Sequence, residues 1–153
     1  MKLLNKIKKG LQRAKKGYCY EDTYSIYDWF LNIMPQMLEE MSEGKYLGAP
    51  GHIVSEFEAK HPDLPTDEAD ELAFAYWRDY LRRMAYYFRE ANEPTEQKNE
   101  YRELWWNNLM NDIQDDMLEK KWLDREYEIE KYQQEQLSKA FKMFTESFYD
   151  LWW

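Results

Sequence analysis

The sequence predicts an all-α fold, a compact bundle of about four main helices preceded by a basic N-terminal arm. Apolar residues recur at steps of three and four along most of the chain, which is the period of a helix that buries one face. No segment alternates apolar and polar residues between turns, as half-buried strands do. A stretch with several prolines and glycines follows the first core helix, and neither residue type occurs after Pro94.

The clearest helical pattern covers residues 66–92, which we predict to be the central helix. Its large apolar side chains follow one another at steps of three or four and therefore lie along a single stripe. Tyrosines flank the stripe and widen the surface that can be buried. The stripe consists of Phe74, Trp77, Leu81, Met84 and Phe88, and the flanking tyrosines are Tyr76, Tyr80, Tyr86 and Tyr87.

A second core helix is predicted over residues 23–43. Asp22 and Thr23 are candidate N-caps, and Gly44 ends the pattern. Pro35 lies in the middle of this helix, where its missing amide hydrogen predicts a kink. The apolar residues at helical spacing are Tyr27, Phe30, Leu31, Met34, Met37, Leu38 and Met41.

Two longer stretches complete the domain. Residues 45–65 are predicted to form a loop with one short helix around Ile53 and Phe57. Residues 95–150 have helical periodicity throughout, but one rod of that length is unusual in a small domain, so we predict two helices. The turn is expected between Lys120 and Gln136, where the apolar pattern is thinnest. Apolar residues at helical spacing mark both helices: Tyr101, Leu104, Trp105, Leu109, Ile113 and Met117 the first, and Leu137, Phe141, Phe144, Phe148, Leu151 and Trp152 the second.

Charge divides the chain into a basic arm, residues 1–17, and a single acidic helical domain, residues 18–153. The arm has seven basic residues and no acid, which leaves 14 basic and 30 acidic residues in the domain, a net charge of −16. Such a charge makes nucleic acid an unfavourable partner for the domain. One interpretation of the arm is an anchor to an anionic membrane or to nucleic acid. The interpretation that we favour is that the arm docks its few leucines on the acidic domain.

The composition is that of one globular domain rich in aromatic residues. Of 153 residues, 44% are hydrophobic and 33% are charged, and no apolar run is long enough for a transmembrane segment. The single cysteine, Cys19, excludes an intramolecular disulfide, so a reducing, cytoplasmic setting is expected. The 7 Trp, 13 Tyr and 7 Phe residues exceed what a core of this size needs, and partner-binding surfaces over-use aromatic side chains.

No catalytic motif accompanies these patterns. Glycine-rich phosphate loops, CxxC pairs, catalytic triads and the ExxH pairs of di-iron bundles are all missing from the sequence. We therefore expect a protein that is not an enzyme, with no cofactor and no metal site. Four carboxylates are predicted to share one side of a helix, where we interpret them as a solvated face rather than a cation-binding or mimic surface. They are Asp112, Asp115, Asp116 and Glu119.

Three segments of the chain carry a resemblance to a known group of proteins. They are a helix with a central proline, DTYSIYDWFLNIMPQMLEEM, a W-x-x-x-L-x-x-M-x-x-x-F helix, WRDYLRRMAYYFRE, and the ending LSKAFKMFTESFYDLWW. In this order, with a Gly- and Pro-containing loop after the first, the chain resembles small all-helical proteins encoded by tailed bacteriophages. The resemblance spans nearly the whole chain from Asp22. It implies phage origin and expression inside an infected bacterium, and its motifs mark a fold rather than a site.

The function that we favour from the sequence is binding without chemistry, as an inhibitor that engages a host or defence protein through acidic and aromatic surface. The expected anchors are Trp105, Trp106, Trp152 and Trp153, because two adjacent tryptophans cannot both face the same core. An outward tryptophan at the end of the chain could equally contact a second copy of the protein.

Two alternatives stay open. In one, the chain sequesters a small anionic nucleotide in a pocket lined by aromatic residues and by Arg78, Arg82, Arg83 or Arg89. The simpler interpretation of these arginines is pairing with the chain's own acids, for instance Asp79 with Arg83 one helical turn apart. In the other alternative, the chain is a virion or assembly component.

Overall fold

The computed structural model describes residues 2–44 and 48–151, and within these ranges the chain is all-helical, with no strand. The prediction of an all-α bundle is confirmed. No helix in the described ranges is both long and apolar enough to span a membrane. The α-helices are α1 (Lys2–Lys16), α2 (Ile26–Glu43), α3 (Gly51–Lys60), α4 (Thr66–Asn92), α5 (Arg102–Met110) and α6 (Asp116–Glu146), and short 3₁₀ turns occupy Tyr20–Thr23 and Phe148–Asp150.

The central helix α4 has the bounds that the sequence predicts, and α2, α3 and α6 all pack against it. Trp77, Leu81, Met84 and Phe88 are buried, whereas Phe74 is half-buried at the edge of the stripe. Full burial of a large apolar side chain stabilises a fold by roughly 1.5 to 3 kcal/mol relative to exposure. The stripe on α4 is therefore the largest single contribution of one element to the core.

Four phenylalanine rings join the three long helices of the core. Phe30 of α2, Phe88 of α4, and Phe141 and Phe144 of α6 have ring centroids 5.4 to 6.4 Å apart, mostly edge to face. Aromatic pairs of this kind contribute about 0.5 to 1.5 kcal/mol beyond the burial of their area. The cluster fixes α2 and α6 on neighbouring sides of α4.

The two elements before α4 differ in detail from expectation. α2 begins at Ile26 rather than at residue 23, because the chain first forms a 3₁₀ turn in which the Asp22 carboxylate accepts the Cys19 amide at 2.7 Å. Pro35 is buried within α2, which is continuous from Ile26 to Glu43. The short helix predicted in the following loop is α3, and His52 lies on it. Residues 45–47 are outside the described ranges.

The basic arm is helical, but its leucines do not dock on the acidic domain, so the favoured interpretation is wrong on this point. The arm is attached by its polar side. Arg13 donates two hydrogen bonds to the Asp22 carboxylate, at 2.6 and 3.0 Å, and Lys9 pairs with Glu21. The hydrogen bonds from Arg13 lower the pKa of Asp22 well below its usual range. The apolar side chains Leu3, Leu4, Ile7 and Leu11 are 51 to 72% exposed.

The turn before the last helix lies earlier than predicted. α5 ends at Met110 and α6 begins at Asp116, so residues 120–136 lie inside one continuous helix of 31 residues. Residues 93–101 are not helical either, although the periodicity predicts helix from residue 95. Residues 111–115 reverse the chain, and α5 folds back on the first half of α6 as a helical hairpin.

A buried carboxylate joins α4, α6 and the segment between α4 and α5. Glu90 is almost inaccessible to solvent, and it accepts hydrogen bonds from the Thr95 amide and the Tyr132 hydroxyl, both at 3.0 Å. Burial by itself raises the pKa of Glu90, but the hydrogen bonds from Thr95 and Tyr132 outweigh burial, and its pKa lies below the ordinary glutamate value. Burial, together with the hydrogen bond to Glu90, raises the pKa of Tyr132. Glu90 is therefore ionised at neutral pH and Tyr132 is its donor.

Replacement of the Glu90 carboxylate should make the free energy of unfolding less dependent on pH in the acidic range. Glu90→Gln should lower the free energy of unfolding at neutral pH by about 1 to 3 kcal/mol, because hydrogen bonds to a charged acceptor are lost. The folded pKa of Glu90 is depressed, so its contribution is complete above the ordinary value of 4.5 and is lost as the pH falls below it. Urea denaturation of both proteins at neutral and acidic pH measures the difference. If the free energy of unfolding of the wild type exceeded that of Glu90→Gln by the same amount at both pH values, Glu90 would not be ionised in the folded protein.

Candidate protein-binding surface

The segment that leads into α5 is fastened to the first half of α6. Asn99 donates from Nδ2 to the carbonyl oxygen of Trp122 at 3.0 Å. Arg125 donates from Nε to the carbonyl oxygen of Lys98 at 3.1 Å and from Nη2 to Oε1 of Gln97 at 2.8 Å. Hydrogen bonds from the Asn99 side chain and from the Arg125 side chain therefore hold this segment against α6 before α5 begins.

Trp105 is the main contact between α5 and α6. Its indole stacks on that of Trp122, with ring centroids 3.9 Å apart and planes inclined by 5°. The adjacent Trp106 lies roughly 100° further round the helix, and it is 52% exposed. One tryptophan of the pair faces the neighbouring helix and the other faces solvent, in agreement with the argument from their adjacency.

Two aspartates shape the turn of the hairpin. Asp112 has a φ of 51°, the left-handed conformation in which many helices end. The Ile113 amide donates to the carbonyl oxygen of Asn108 at 2.9 Å, which closes the end of α5 in the manner of a Schellman motif. Asp115 caps α6, since its carboxylate accepts the Leu118 amide at 3.0 Å. Hydrogen bonds on both sides thus give the end of the hairpin a defined shape.

An apolar surface covers this end of the hairpin. Its members come from α5, from the turn and from the first turn of α6, and each of them is about half exposed or more, up to 71% for Met117. Leu109 and Ile113 line one small cavity of about 230 Å³. Trp106 and Met110 are one helical turn apart and are therefore neighbours. We call this surface the hairpin tip, and it consists of Trp106, Leu109, Met110, Ile113 and Met117.

The four carboxylates predicted to share one side of a single helix are divided between the turn and the start of α6, so that prediction is wrong. Asp115, Asp116 and Glu119 line the same cavity as Leu109 and Ile113. Asp112 lies in the turn, Asp115 caps α6, and Asp116 and Glu119 belong to the first turn of α6, where negative charge is favoured. All four are exposed. In the described part of the chain, no three His, Cys, Asp or Glu side chains are grouped so as to hold a metal ion. The four carboxylates form an acidic rim beside the apolar tip.

The four arginines considered for a nucleotide pocket are spread along α4. Arg83 pairs with Asp79 at 2.8 Å, as the simpler interpretation predicts, and Arg89 pairs with a glutamate of α2. Arg78 is half-buried and Arg82 is exposed. Arg78 and Arg89 are roughly 16 Å apart along the helix axis. Of the four arginines, only Arg89 lines the neighbouring cleft of about 430 Å³.

Two of the predicted anchors, Trp152 and Trp153, lie outside the described residues. Three of the apolar residues whose spacing marks the first of the two predicted helices, Leu109, Ile113 and Met117, are exposed. Ile113 and Met117 do not continue the face of α5, because the chain turns at residues 111–115. The sequence does contain a signal for this turn. Asp115 is a residue type that caps helices, and it lies three positions before Leu118, whose amide its side chain accepts.

Comparison of the chain with protein-family models, with curated proteins and with solved structures finds no match. The likeness to phage proteins therefore rests on the sequence segments quoted above.

Proposed function

We propose that this chain is a non-enzymatic binding protein of the phage type, an inhibitor that engages a host or defence protein through the hairpin tip. The observation that supports the proposal is the exposure of Trp106 and Met117 on an element whose shape is fixed by hydrogen bonds and by the stacked Trp105 and Trp122. Phage origin and a bacterial host enter the proposal through the sequence resemblance.

The composition of the hairpin tip is that of a binding hot spot. Tryptophan is among the residues most enriched where truncation weakens binding most, and methionine adapts its shape to a partner surface. A large apolar side chain on a rigid element loses little conformational freedom on binding, which favours affinity. The surface of Trp106, Leu109 and Met110 is therefore suited to enter an apolar pocket of another protein.

The acidic rim defines the charge of the partner. Asp112, Asp115, Asp116 and Glu119 border the tip, so the partner pocket should be bordered by lysine or arginine. The net charge of −16 on residues 18–153 would speed the approach of such a basic partner and would disfavour nucleic acid. The partner that fits is a protein with an apolar pocket and a basic border.

Site-specific photo-crosslinking in infected cells tests the proposal. Benzoylphenylalanine placed at Met110 should yield one discrete crosslinked protein, because this position is exposed on the hairpin tip one helical turn from Trp106. The matched position is Tyr149, which is 90% exposed and lies roughly 40 Å away along α6. The same probe at Tyr149 should capture nothing discrete, and Trp106→Ala should abolish capture from Met110.

Inhibition is tested on the protein so captured. Its activity, measured after purification, should fall when the wild-type chain is added and should be unaffected by the Trp106→Ala variant. Equal capture from positions 110 and 149, or an activity that neither protein changes, would contradict the proposal.

A further inference from the structure

The helix α1 presents its apolar side to solvent because its polar side is held. Lys9 and Arg13 pair with Glu21 and Asp22, and these basic residues lie on the side of α1 opposite Ile7. The aliphatic stripe of Leu3, Leu4, Ile7 and Leu11 is therefore directed away from the attachment. Among the described residues, the side-chain hydrogen bonds and ion pairs of α1 all go to Tyr20, Glu21 and Asp22.

The same chain has an apolar groove that α1 does not occupy. The groove has a volume of about 950 Å³ and lies between the start of α2, the end of α4 and the second half of α6. Its apolar lining includes Phe30 and Phe141, whose rings stack at 5.6 Å. Tyr27, also in the lining, is 68% exposed. Asp28 and Glu130 place negative charge along it.

The helix and the groove match in length and in charge. The stripe from Leu3 to Leu11 extends roughly 12 Å along α1, and the groove extends roughly 16 Å along α6 from Glu130 to Phe141. A helix that lies in a groove presents apolar residues separated by three or four positions, as Leu4, Ile7 and Leu11 are. Lysines flank the stripe on α1, and carboxylates border the groove.

The position of the groove allows a reciprocal contact between two copies. Asp28 lines both the groove and the cavity between α1 and α2, so α1 and the groove adjoin the same end of α2. A twofold axis beside that end places α1 and the groove of one copy near α1 and the groove of the other. The ion pairs that hold α1 to its own chain stay intact in such a dimer.

We propose that the protein forms a symmetric dimer in which the apolar stripe of α1 from each copy lies in the groove between α2 and α6 of the other. A second copy is favoured over an anionic bilayer for two reasons. The stripe is narrow and has no aromatic residue, and residues 18–153 carry a net charge of −16, which an anionic membrane repels. This dimer does not involve the hairpin tip.

Light scattering coupled to size exclusion tests the dimer with two variants that leave the core untouched. The wild type should have twice the monomer mass of 18.9 kDa at micromolar concentration. Ile7→Glu on α1 and Tyr27→Glu in the groove should each raise the dissociation constant at least about tenfold, because each places a charge in an apolar contact. Trp106→Ser, at the hairpin tip, should leave the dimer unchanged. Circular dichroism and melting temperatures establish that the variants fold.

A mixture of the two variants gives the most specific readout. Each variant alone loses both contacts of the dimer, whereas a heterodimer of Ile7→Glu with Tyr27→Glu keeps one intact contact. The mixture should therefore associate more strongly than either variant alone. An interface formed by any other surface would show no such complementation.

Three results would overturn the proposal. The first is a wild-type chain that stays monomeric at all concentrations tested. The second is a dimer that Trp106→Ser disrupts and Ile7→Glu does not. The third is flotation of a monomeric wild type with phosphatidylglycerol vesicles that Ile7→Glu abolishes, which would identify α1 as a membrane-surface helix.

Discussion

Replacement of Trp77 by alanine should lower the free energy of unfolding by about 3 to 5 kcal/mol, as truncations of large aromatic residues in cores do. Trp77 is 2% exposed and its ring stacks on that of Tyr80 at 5.4 Å. The substitution leaves a cavity inside the core, and the loss of its packing contacts adds to the lost burial of the ring. The loss is a large share of the roughly 5 to 15 kcal/mol that stabilises a domain. For a chain of this length, the melting temperature should fall by about 6 to 20 °C.

Two further variants show whether this loss comes from core packing. The Nε1 atom of Trp77 is buried with no hydrogen-bond partner in the described part of the chain, so Trp77→Phe removes volume without breaking a hydrogen bond. Trp77→Phe should therefore destabilise less than Trp77→Ala. Trp106→Ala, which truncates an exposed ring, should leave the melting temperature almost unchanged. If Trp77→Ala shifted it no more than Trp106→Ala, α4 would not be the centre of the core.

The fold could be predicted from the sequence where periodicity is long and its ends are marked. Residues 66–92 have an unbroken stripe between Pro65 and Pro94, and the structure reproduces both bounds of α4. The predicted break between α5 and α6 lies too late in the chain, because no glycine or proline marks the turn at residues 111–115. Asp112 adopts the left-handed conformation that glycine usually supplies, and Asp115 restarts the helix as its cap.

The basic arm and the hairpin tip show which features of the protein surface could not be predicted from the sequence. Charge alone predicts that the arm contacts the acidic domain, and it does so through Arg13 and Asp22. Charge does not reveal that these residues, by occupying the inner side of α1, leave the leucines outside. In the hairpin, adjacency predicts that Trp105 and Trp106 diverge, but the exposure of Met110 and Met117 depends on the position of the turn.

The second large effect is expected in partner binding. Trp106→Ala should weaken binding of the captured partner by about 2 to 4 kcal/mol, which is roughly a 30- to 1,000-fold increase in the dissociation constant. The effect should be large because Trp106 is the largest side chain of the hairpin tip and lies on a helix held by the stacked Trp105 and Trp122. Folding should be unaffected, since Trp106 is 52% exposed and makes no contribution to the buried core.

Calorimetric titration of the partner with the wild type, Trp106→Ala and Tyr149→Ala tests most directly whether the hairpin tip is the binding surface. Tyr149→Ala is the matched control, because it truncates a 90% exposed aromatic residue at the opposite end of α6. The expected result is a dissociation constant raised about 30-fold or more by Trp106→Ala and changed less than about threefold by Tyr149→Ala. Equal dissociation constants for the wild type and Trp106→Ala would contradict binding through the hairpin tip.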